Sequence, residues 1–256
     1  MAYPKITVNT GLALPITVLS DTIDIPFPGS QVTGTSTGVA SGTADTNTLN
    51  HLINSTLAGN DQFTATVVPL PVVIGDRAIR TSGGGAPDSS LVTAVAATDL
   101  TLAADTFPDG NETYTISRPD HLVDTGATFI TSGVKAGDIV WNTTASKAAY
   151  VLAVNNNTDL TLSVDIFSSQ TEFNDSYIIY TGQVDGLTSS EGCLLYIGHN
   201  TLTAGAPTYT DVKVRTVAGN DVTFANFPVG NYLPIQVTRV FTAASGTEAD
   251  AIIAIW

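Results

Sequence analysis

The chain has 256 residues, enough for two or three small β-domains, and 43% of them are hydrophobic, which permits a core and argues against wholesale disorder. Its formal net charge is −14 with only nine Lys and Arg residues, so a basic patch for phosphates is missing and we expect no nucleic-acid partner. A single cysteine excludes an intrachain disulfide and a multi-cysteine zinc site. We also expect no signal peptide and no membrane-spanning segment.

Residues 1–45 are predicted to form an extended N-terminal segment with short strands. The β-branched residues at 6–8 and 16–18 favour strands, and the prolines in 24–29 favour extended or turning backbone. Residues 30–44 are rich in Gly, Ser and Thr. This composition fits either a flexible linker or a strand with polar faces.

A duplicated unit occupies the middle of the chain. Residues 98–107 (TDLTLAADTF) and 158–167 (TDLTLSVDIF) are identical at seven of ten positions. Their alternating apolar and polar residues predict half-buried strands. The same order of matches extends outward: 51–53 with 121–123, 75–76 with 137–138, 91–95 with 150–154, and 114–116 with 177–179. We therefore predict a first β repeat at 46–117 and a second at 118–182.

Residues 183–256 are predicted to form a compact C-terminal β-domain, with strands at 193–197, 211–216, 222–224, 233–241 and 251–256. The last run, AIIAIW, is too apolar for a loose tail. It predicts a buried strand in this domain or in a neighbouring subunit. The expected fold class is therefore all-β: two related small β-barrel or sandwich units followed by a compact C-terminal β-domain.

Histidines and small motifs offer little chemistry. His51 and His121 occupy matching repeat positions, and with His199 they are the only histidines. Close metal-binding spacing is missing, so a structural role is favoured over a ligand or an acid–base pair. Gly83 to Gly85 lack the Lys-Ser/Thr of a phosphate loop, and Cys193 lacks a basic neighbour that would activate its thiol.

Four aspartates recur at equivalent places, namely Asp99, Asp105, Asp159 and Asp165. They could bind calcium or act as paired carboxylates on a glycan. Aspartates at turns and strand ends commonly bond to their own backbone, and we favour that structural role. We therefore predict no catalytic, cofactor-binding or metal-binding residues.

Aromatic residues in the second repeat leave one binding alternative open. Trp141, Tyr150, Tyr177 and Tyr180 would favour a sugar or protein site if they formed an exposed cluster. Core packing is the interpretation we favour for them. Trp256, at the end of the apolar terminal run, is predicted to be a packing anchor.

The C-terminal segment resembles the spike-base proteins of tailed-phage and gene-transfer-agent heads. The resemblance rests on residues 211–224, 227–230, 233–240 and 246–256, and it departs from the family pattern at Glu248, where Thr is commoner. The middle is similar to tailed-phage structural proteins at residues 122–129, 137–144 and 160–167. Together these segments cover roughly half the chain, and the family supplies no catalytic residues.

The resemblance implies a non-enzymatic virion structural protein. We expect a capsid decoration, cement or vertex protein on the outer head surface, assembled in the host cytoplasm, in contact with itself and the major capsid protein. A homotrimer is expected, with a pentamer as the alternative. The predicted inter-subunit or capsid contacts are Ile25, Phe27, Phe241, Ile252, Ile255 and Trp256.

Two other functions stay open at this point. The repeats could form a head-fibre or tail adhesin that binds a host glycan or receptor. Asp105 and Asp165 could form the carboxylate pair of a polysaccharide hydrolase, the least favoured reading.

Overall fold

The computed structural model describes residues 13–18, 20–65, 70–82, 88–167, 174–182, 192–198 and 209–256. These residues form strands and two 3₁₀ turns (Gly59–Asp61 and Ala243–Ser245) but no α-helix, and so no helix that could cross a membrane. The strands are β1 (Ala13–Ile16), β2 (Gln31–Thr35), β3 (Ala40–Thr43), β4 (His51–Ile53), β5 (Arg77–Arg80), β6 (Ser89–Val95), β7 (Asp99–Leu102), β8 (Thr113–Ser117), β9 (His121–Val123), β10 (Ile139–Asn142), β11 (Lys147–Asn156), β12 (Asp159–Leu162), β13 (Ser176–Tyr180), β14 (Leu194–Gly198), β15 (Tyr209–Thr216), β16 (Asp221–Pro228), β17 (Asn231–Tyr232), β18 (Val237–Val240) and β19 (Ala251–Ile255).

The strands of the described residues, without an α-helix among them, confirm the predicted all-β class. The chain divides into two compact units. The duplicated unit comprises residues 32–136 and 140–179, and the terminal unit comprises residues 1–31, 137–139 and 180–256. The N-terminal and C-terminal ends of the chain therefore belong to one unit. The two repeats share the other.

Each repeat forms a six-stranded sheet, and the two sheets have the same strand order. The first is β3-β8-β5-β6-β7-β4 and the second is β2-β13-β10-β11-β12-β9. The registers also match, since Leu52 faces Leu100 in one sheet and Leu122 faces Leu160 in the other. A β-bulge recurs at the same place, between Val92 and Ala94 and between residues 151 and 153. The duplication therefore extends to backbone irregularities.

Both sheets curl until their first and last strands meet. The N–H of Asp45, after β3, donates to the carbonyl of Ile53 at the end of β4 (2.9 Å). The N–H of Thr37, after β2, donates to Val123 at the end of β9 (2.8 Å). We call the resulting bodies the first and second barrel.

Strand β2 precedes the first repeat in sequence but belongs to the second barrel. It lies beside β13, while β3 lies beside β8 in the first barrel. Residues 30–44 thus contain two strands, as in the second of the two alternatives considered for this segment. The consequence is that residues 118–182 do not contain all the strands of their own barrel.

Each barrel is filled by its own apolar core around one tyrosine. Tyr114 contacts the rings of Phe63 and Phe107 at centroid distances of 6.0 and 6.3 Å. Tyr177 contacts Phe129 and residue Phe167, both at 6.2 Å. These rings are buried, and such ring contacts add to the stabilisation from apolar burial.

The terminal unit contains a four-stranded sheet, β1-β19-β14-β17, and a three-stranded sheet, β16-β15-β18. Strand β19 pairs with β1 on one side and β14 on the other, so the apolar terminal run is a central strand within its own chain. The predicted strand at 233–241 is too long. It is interrupted at Pro234, which cannot donate to a sheet, and only Val237–Val240 forms a strand.

Candidate functional site

All six residues predicted to make intermolecular contacts lie in the terminal unit, where N-terminal residues 13–27 meet residues 237–256. We call this region the terminal seam. Ile25, Phe241 and Ile252 are buried within the chain itself. The residues that keep partial exposure are Phe27, Ile255 and Trp256. Phe27 and Trp256 meet edge to face at 5.7 Å between ring centroids.

Charged contacts fix the N-terminal segment in the terminal seam. The guanidinium of Arg239 pairs with Asp24 at 2.7 Å, and the N–H of Ile25 donates to the carbonyl of Thr238 at 2.8 Å. Burial raises the pKa of Asp24 above its ordinary value, although the charge and hydrogen bond of Arg239 oppose that rise. A paired but desolvated carboxylate of this kind specifies a position more than it adds stability.

A second carboxylate anchors the same segment. Asp21 accepts hydrogen bonds from the hydroxyl of Ser245 and from the N–H of Thr242, the latter at 2.6 Å. These bonds lower the pKa of Asp21, the Ser245 bond most of all. Asp21 and Asp24 thus fix the N-terminal segment to residues 239–245 of the terminal seam.

The two repeated histidines bond to the repeated aspartates. Nδ1 of His51 donates to Asp99 at 2.8 Å, and Nδ1 of His121 donates to Asp159 at 2.7 Å. Each bond ties the two strands that end the sheet, β4 to β7 and β9 to β12. The structural role predicted for these histidines agrees with this geometry.

The junction between the two barrels contains an ion pair that the sequence did not suggest. Arg118 donates to both carboxylate oxygens of Asp76, at 2.9 and 3.0 Å, and to the carbonyl of Pro71 at 2.8 Å. Burial lowers the pKa of Arg118, but the bond and charge of Asp76 outweigh it and the net shift is upward. His121 and His51 are equivalent residues seventy positions apart, and by the same offset Arg118 is equivalent to Thr48 of the first repeat. Because Thr48 carries no charge, the ion pair has no counterpart at that position.

A cavity of about 10 Å³ lies beside this ion pair. Its lining includes Ser36, Arg118, His121 and Phe167. That volume holds about one water molecule, so it cannot admit a sugar or another organic substrate.

The carboxylates considered for hydrolysis lie in different barrels. Asp105 follows β7 and Asp165 follows β12, at equivalent places. Asp165 accepts a hydrogen bond from the N–H of Phe167 at 3.3 Å, a local turn contact. One oxygen of Asp105 is buried without a hydrogen-bond partner.

The aromatic cluster considered for sugar binding is largely internal. Tyr177 and Tyr180 are buried, and burial raises the pKa of both. Trp141 and Tyr150 are only partly exposed. Cys193 is buried as well, and desolvation raises the pKa of its thiol to about 12, which makes it unreactive at neutral pH.

His199 and the Gly83 to Gly85 motif lie outside the described residues. Within the part of the chain that the structure describes, no group of three or more His, Cys, Asp or Glu side chains is placed to hold a metal ion. No family model matches the chain, and searches of curated proteins and of solved structures also found no match.

Proposed function

We propose that this chain is a non-enzymatic structural protein of a tailed-phage virion, decorating the outer surface of the head. One observation carries the proposal: the side chains most suited to chemistry in the repeats bond to each other. His51 bonds to Asp99 and His121 to Asp159 at equivalent places in the two barrels, and Arg118 pairs with Asp76 at the junction of the barrels. The sequence resemblance to head spike-base proteins supports the same conclusion.

Charge favours a role on an exterior surface. With a net charge of −14 the protein stays soluble and resists non-specific association before it is placed. The same charge suits docking onto a neutral or basic protein surface. The proposed partners are the major capsid protein and further copies of the chain, in a homotrimer with a pentamer as the alternative.

Repetition makes such a protein effective even when each contact is weak. A closed shell offers the same site many times, and a homo-oligomer that engages several sites at once gains avidity. The required property is a rigid body with an exposed docking surface. Within the duplicated unit the His–Asp bonds and the Arg118–Asp76 ion pair join elements of the barrels, and within the terminal unit β1 pairs with β19.

The decisive experiment measures position and copy number. Particles would be purified, their proteins quantified by mass spectrometry, and the chain located by cryo-electron microscopy. On the order of hundreds of copies on the head would support decoration, because a closed shell repeats its sites that often. Fewer than about twenty copies at one vertex or on the tail would contradict it and favour the connector or adhesin alternative.

A turnover assay tests the hydrolase alternative separately. Wild-type protein and the Asp105→Asn and Asp165→Asn variants would be incubated with host surface polysaccharide, and the release of reducing ends followed. We expect no release from any of them. Activity that disappears in either variant would overturn the non-enzymatic proposal.

A further inference from the structure

The outward side of the four-stranded sheet in the terminal unit carries an apolar row. Residues directly opposite each other on antiparallel strands point to the same side of a sheet. Pro15 of β1 lies opposite Ile253 of β19, Ile253 lies opposite Tyr196 of β14, and Tyr196 lies opposite Tyr232 of β17. The two tyrosine rings are in edge contact at 5.4 Å between centroids. One row thus crosses all four strands.

A second row runs parallel to it. Ala13, Ile255 and Leu194 lie opposite one another on β1, β19 and β14. We call the seven residues of the two rows the outer face. It contains no charged side chain, and its only polar side-chain atoms are the two tyrosine hydroxyls.

The opposite side of the same sheet already supplies the core of the terminal unit. Leu195, Ile197, Ile252 and Ala254 are buried in that core, whereas no residue of the outer face belongs to it. Antiparallel sheets with one face on the core usually turn polar residues to the other side. This sheet is apolar on both sides, as expected of a sheet that is covered twice.

The neighbouring sheet of the same unit is the internal comparison. On β15 the inward residues Val212 and Val214 are buried, while the alternate residues are Asp211, Lys213 and Arg215. That sheet therefore follows the ordinary pattern of apolar inside and charged outside. The apolar outer face is a property of one sheet and not of the composition of the unit.

We propose that the outer face lies at the symmetry axis of the homo-oligomer and packs there against the outer faces of the other copies of this chain. Two molecules that each carry a net charge of −14 repel each other least where neither presents an acidic group. The outer face meets that condition, and residues beside a symmetry axis meet their own counterparts from the other copies.

A glycan is a poorer occupant. Sugar sites combine a ring platform with several converging polar groups, and two tyrosine hydroxyls are too few for that purpose. A capsid subunit is the other macromolecular occupant, and the experiment below separates it from a second copy.

The size of the outer face sets its role in the interface. Four strands spaced about 4.8 Å apart and five residues of about 3.4 Å each cover roughly 300 Å². A stable interface buries about 800 Å² on each partner. The proposed interface must therefore extend beyond the outer face, and Tyr232, the most exposed large side chain of that face, is the residue best suited to anchor it.

Tyr232→Lys tests the inference, and Tyr209→Lys is its matched control. The two tyrosines have almost the same exposure, 59% and 58%, and both belong to the terminal unit, but Tyr209 lies on β15 outside the outer face. Purified proteins would be compared by sedimentation velocity over a concentration series, with circular dichroism to verify folding. We expect the wild type and Tyr209→Lys to associate alike. Tyr232→Lys should associate at least about tenfold more weakly, as for the loss of an exposed aromatic residue that anchors an interface.

A photocross-linking residue at position 232 gives a second measurement that does not depend on the stability of a variant. We expect a cross-link between two copies of the chain in the assembled oligomer. A wild type that stays monomeric at the highest concentration, or a Tyr232→Lys variant that associates as the wild type does, would overturn the inference. A cross-link only to the capsid protein would also overturn it.

This inference deepens the proposed function by naming the self-contact of the decoration protein, and the two can fail separately. Oligomers that depend on Tyr232 but do not bind heads would leave the inference standing and contradict the decoration role. A monomer that binds heads equally well with and without the Tyr232→Lys change would support the decoration role and contradict the self-contact.

Discussion

The two barrels of the duplicated unit have the same strand order, the same bulge and the same ring contacts, yet they differ in how charge is used. In the first barrel Tyr114 accepts a hydrogen bond from the amide of Asn54 at 3.0 Å. In the second barrel Tyr177 donates to the carboxylate of Asp124 at 2.6 Å. The first barrel therefore centres on a neutral pair, and the second on a buried charge.

The repeated His–Asp pairs have the same chemistry but differ in burial. Asp99 of the first barrel is more than a third exposed, whereas Asp159 of the second is 5% exposed. Arg118 lies near the second pair and binds Asp76 of the first repeat. The two barrels thus hold the same His–Asp pair at equivalent sites, and the more buried pair is the one near Arg118. Removing one member of such a pair should therefore lower the free energy of unfolding more in the second barrel than in the first.

The largest difference is expected at the junction. Arg118→Leu leaves the carboxylate of Asp76, which is 1% exposed, without its cation. Removing one partner of a buried ion pair costs about 3–5 kcal/mol, and we expect a loss of that size in the free energy of unfolding by urea. Thr48→Ala, at the equivalent exposed position of the first repeat, should change it by less than about 0.5 kcal/mol. Equal changes in the two variants would show that the Arg118–Asp76 pair does not stabilise the fold.

The central tyrosines give the next effect. Tyr177→Phe leaves Asp124 with the N–H of Gly126 as its remaining hydrogen bond, and we expect a loss of about 2–3 kcal/mol because a charged acceptor loses a donor. Tyr114→Phe removes a bond between neutral groups and should cost about 1 kcal/mol. Thermal unfolding followed by circular dichroism measures both. A larger loss in Tyr114→Phe would contradict the assignment of charge to the second barrel.

Two glycines make room for these tyrosines. A Cβ at Gly34 would collide with the Tyr177 hydroxyl and Asp124, and a Cβ at Gly42 would lie 2.7 Å from the Tyr114 hydroxyl. We expect Gly34→Ala to destabilise by about 2 kcal/mol and Gly42→Ala by about 1 kcal/mol, within the usual range for overpacking. Urea titrations of the two variants provide the measurement. If Gly34→Ala leaves the free energy of unfolding unchanged, β2 can shift away from Tyr177 without loss of stability.

The smallest effect concerns pH. Glu112 accepts N–H bonds from Asp109 at 2.8 Å and from Asn111 at 3.0 Å. Burial raises its pKa, but the backbone hydrogen bonds outweigh burial and the net pKa is below the ordinary value of 4.5. A lowered folded-state pKa stabilises above the unfolded value and loses that stabilisation as pH falls through the folded value. Glu112→Gln should lower the free energy of unfolding by about 1–2 kcal/mol at pH 7. The difference from the wild type should shrink as the pH falls through the folded-state pKa of Glu112.

The exposed Glu248 supplies the control for this prediction. Glu248→Gln should leave the pH dependence of unfolding unchanged. If Glu112→Gln still has a lower free energy of unfolding than the wild type at low pH, the destabilisation comes from altered packing and not from the charge.

Sequence reasoning located the strands of the repeats well because their signals are local. Alternation in residues 99–102 and 159–162 and the turns between them depend on near neighbours. It failed at Pro234, whose effect on strand 233–241 is also local and could have been weighed. It did not find that Arg118 binds Asp76, since only the tertiary fold brings together two residues that are 42 positions apart.

The assignment of β2 to the second barrel had a faint signal in the sequence. Residues 32–36 (VTGTS) and 40–44 (ASGTA) share a Gly-Thr pair at the same place, which hints that both are first strands of equivalent sheets. Nothing in either segment says which barrel receives it. The neighbour of each strand depends on the path of the whole chain.

The sequence by itself determined an all-β chain with a duplicated unit, apolar interiors and an acidic surface, because composition, period and internal similarity are properties of adjacent residues. Only the tertiary structure decided that β1 pairs with β19, that β2 joins the second barrel, and that Tyr196 and Tyr232 share one apolar face. The physical reason is the same in each case. Strand pairing joins residues that are distant in sequence, and its register is set by side chains that meet only when the sheet has formed.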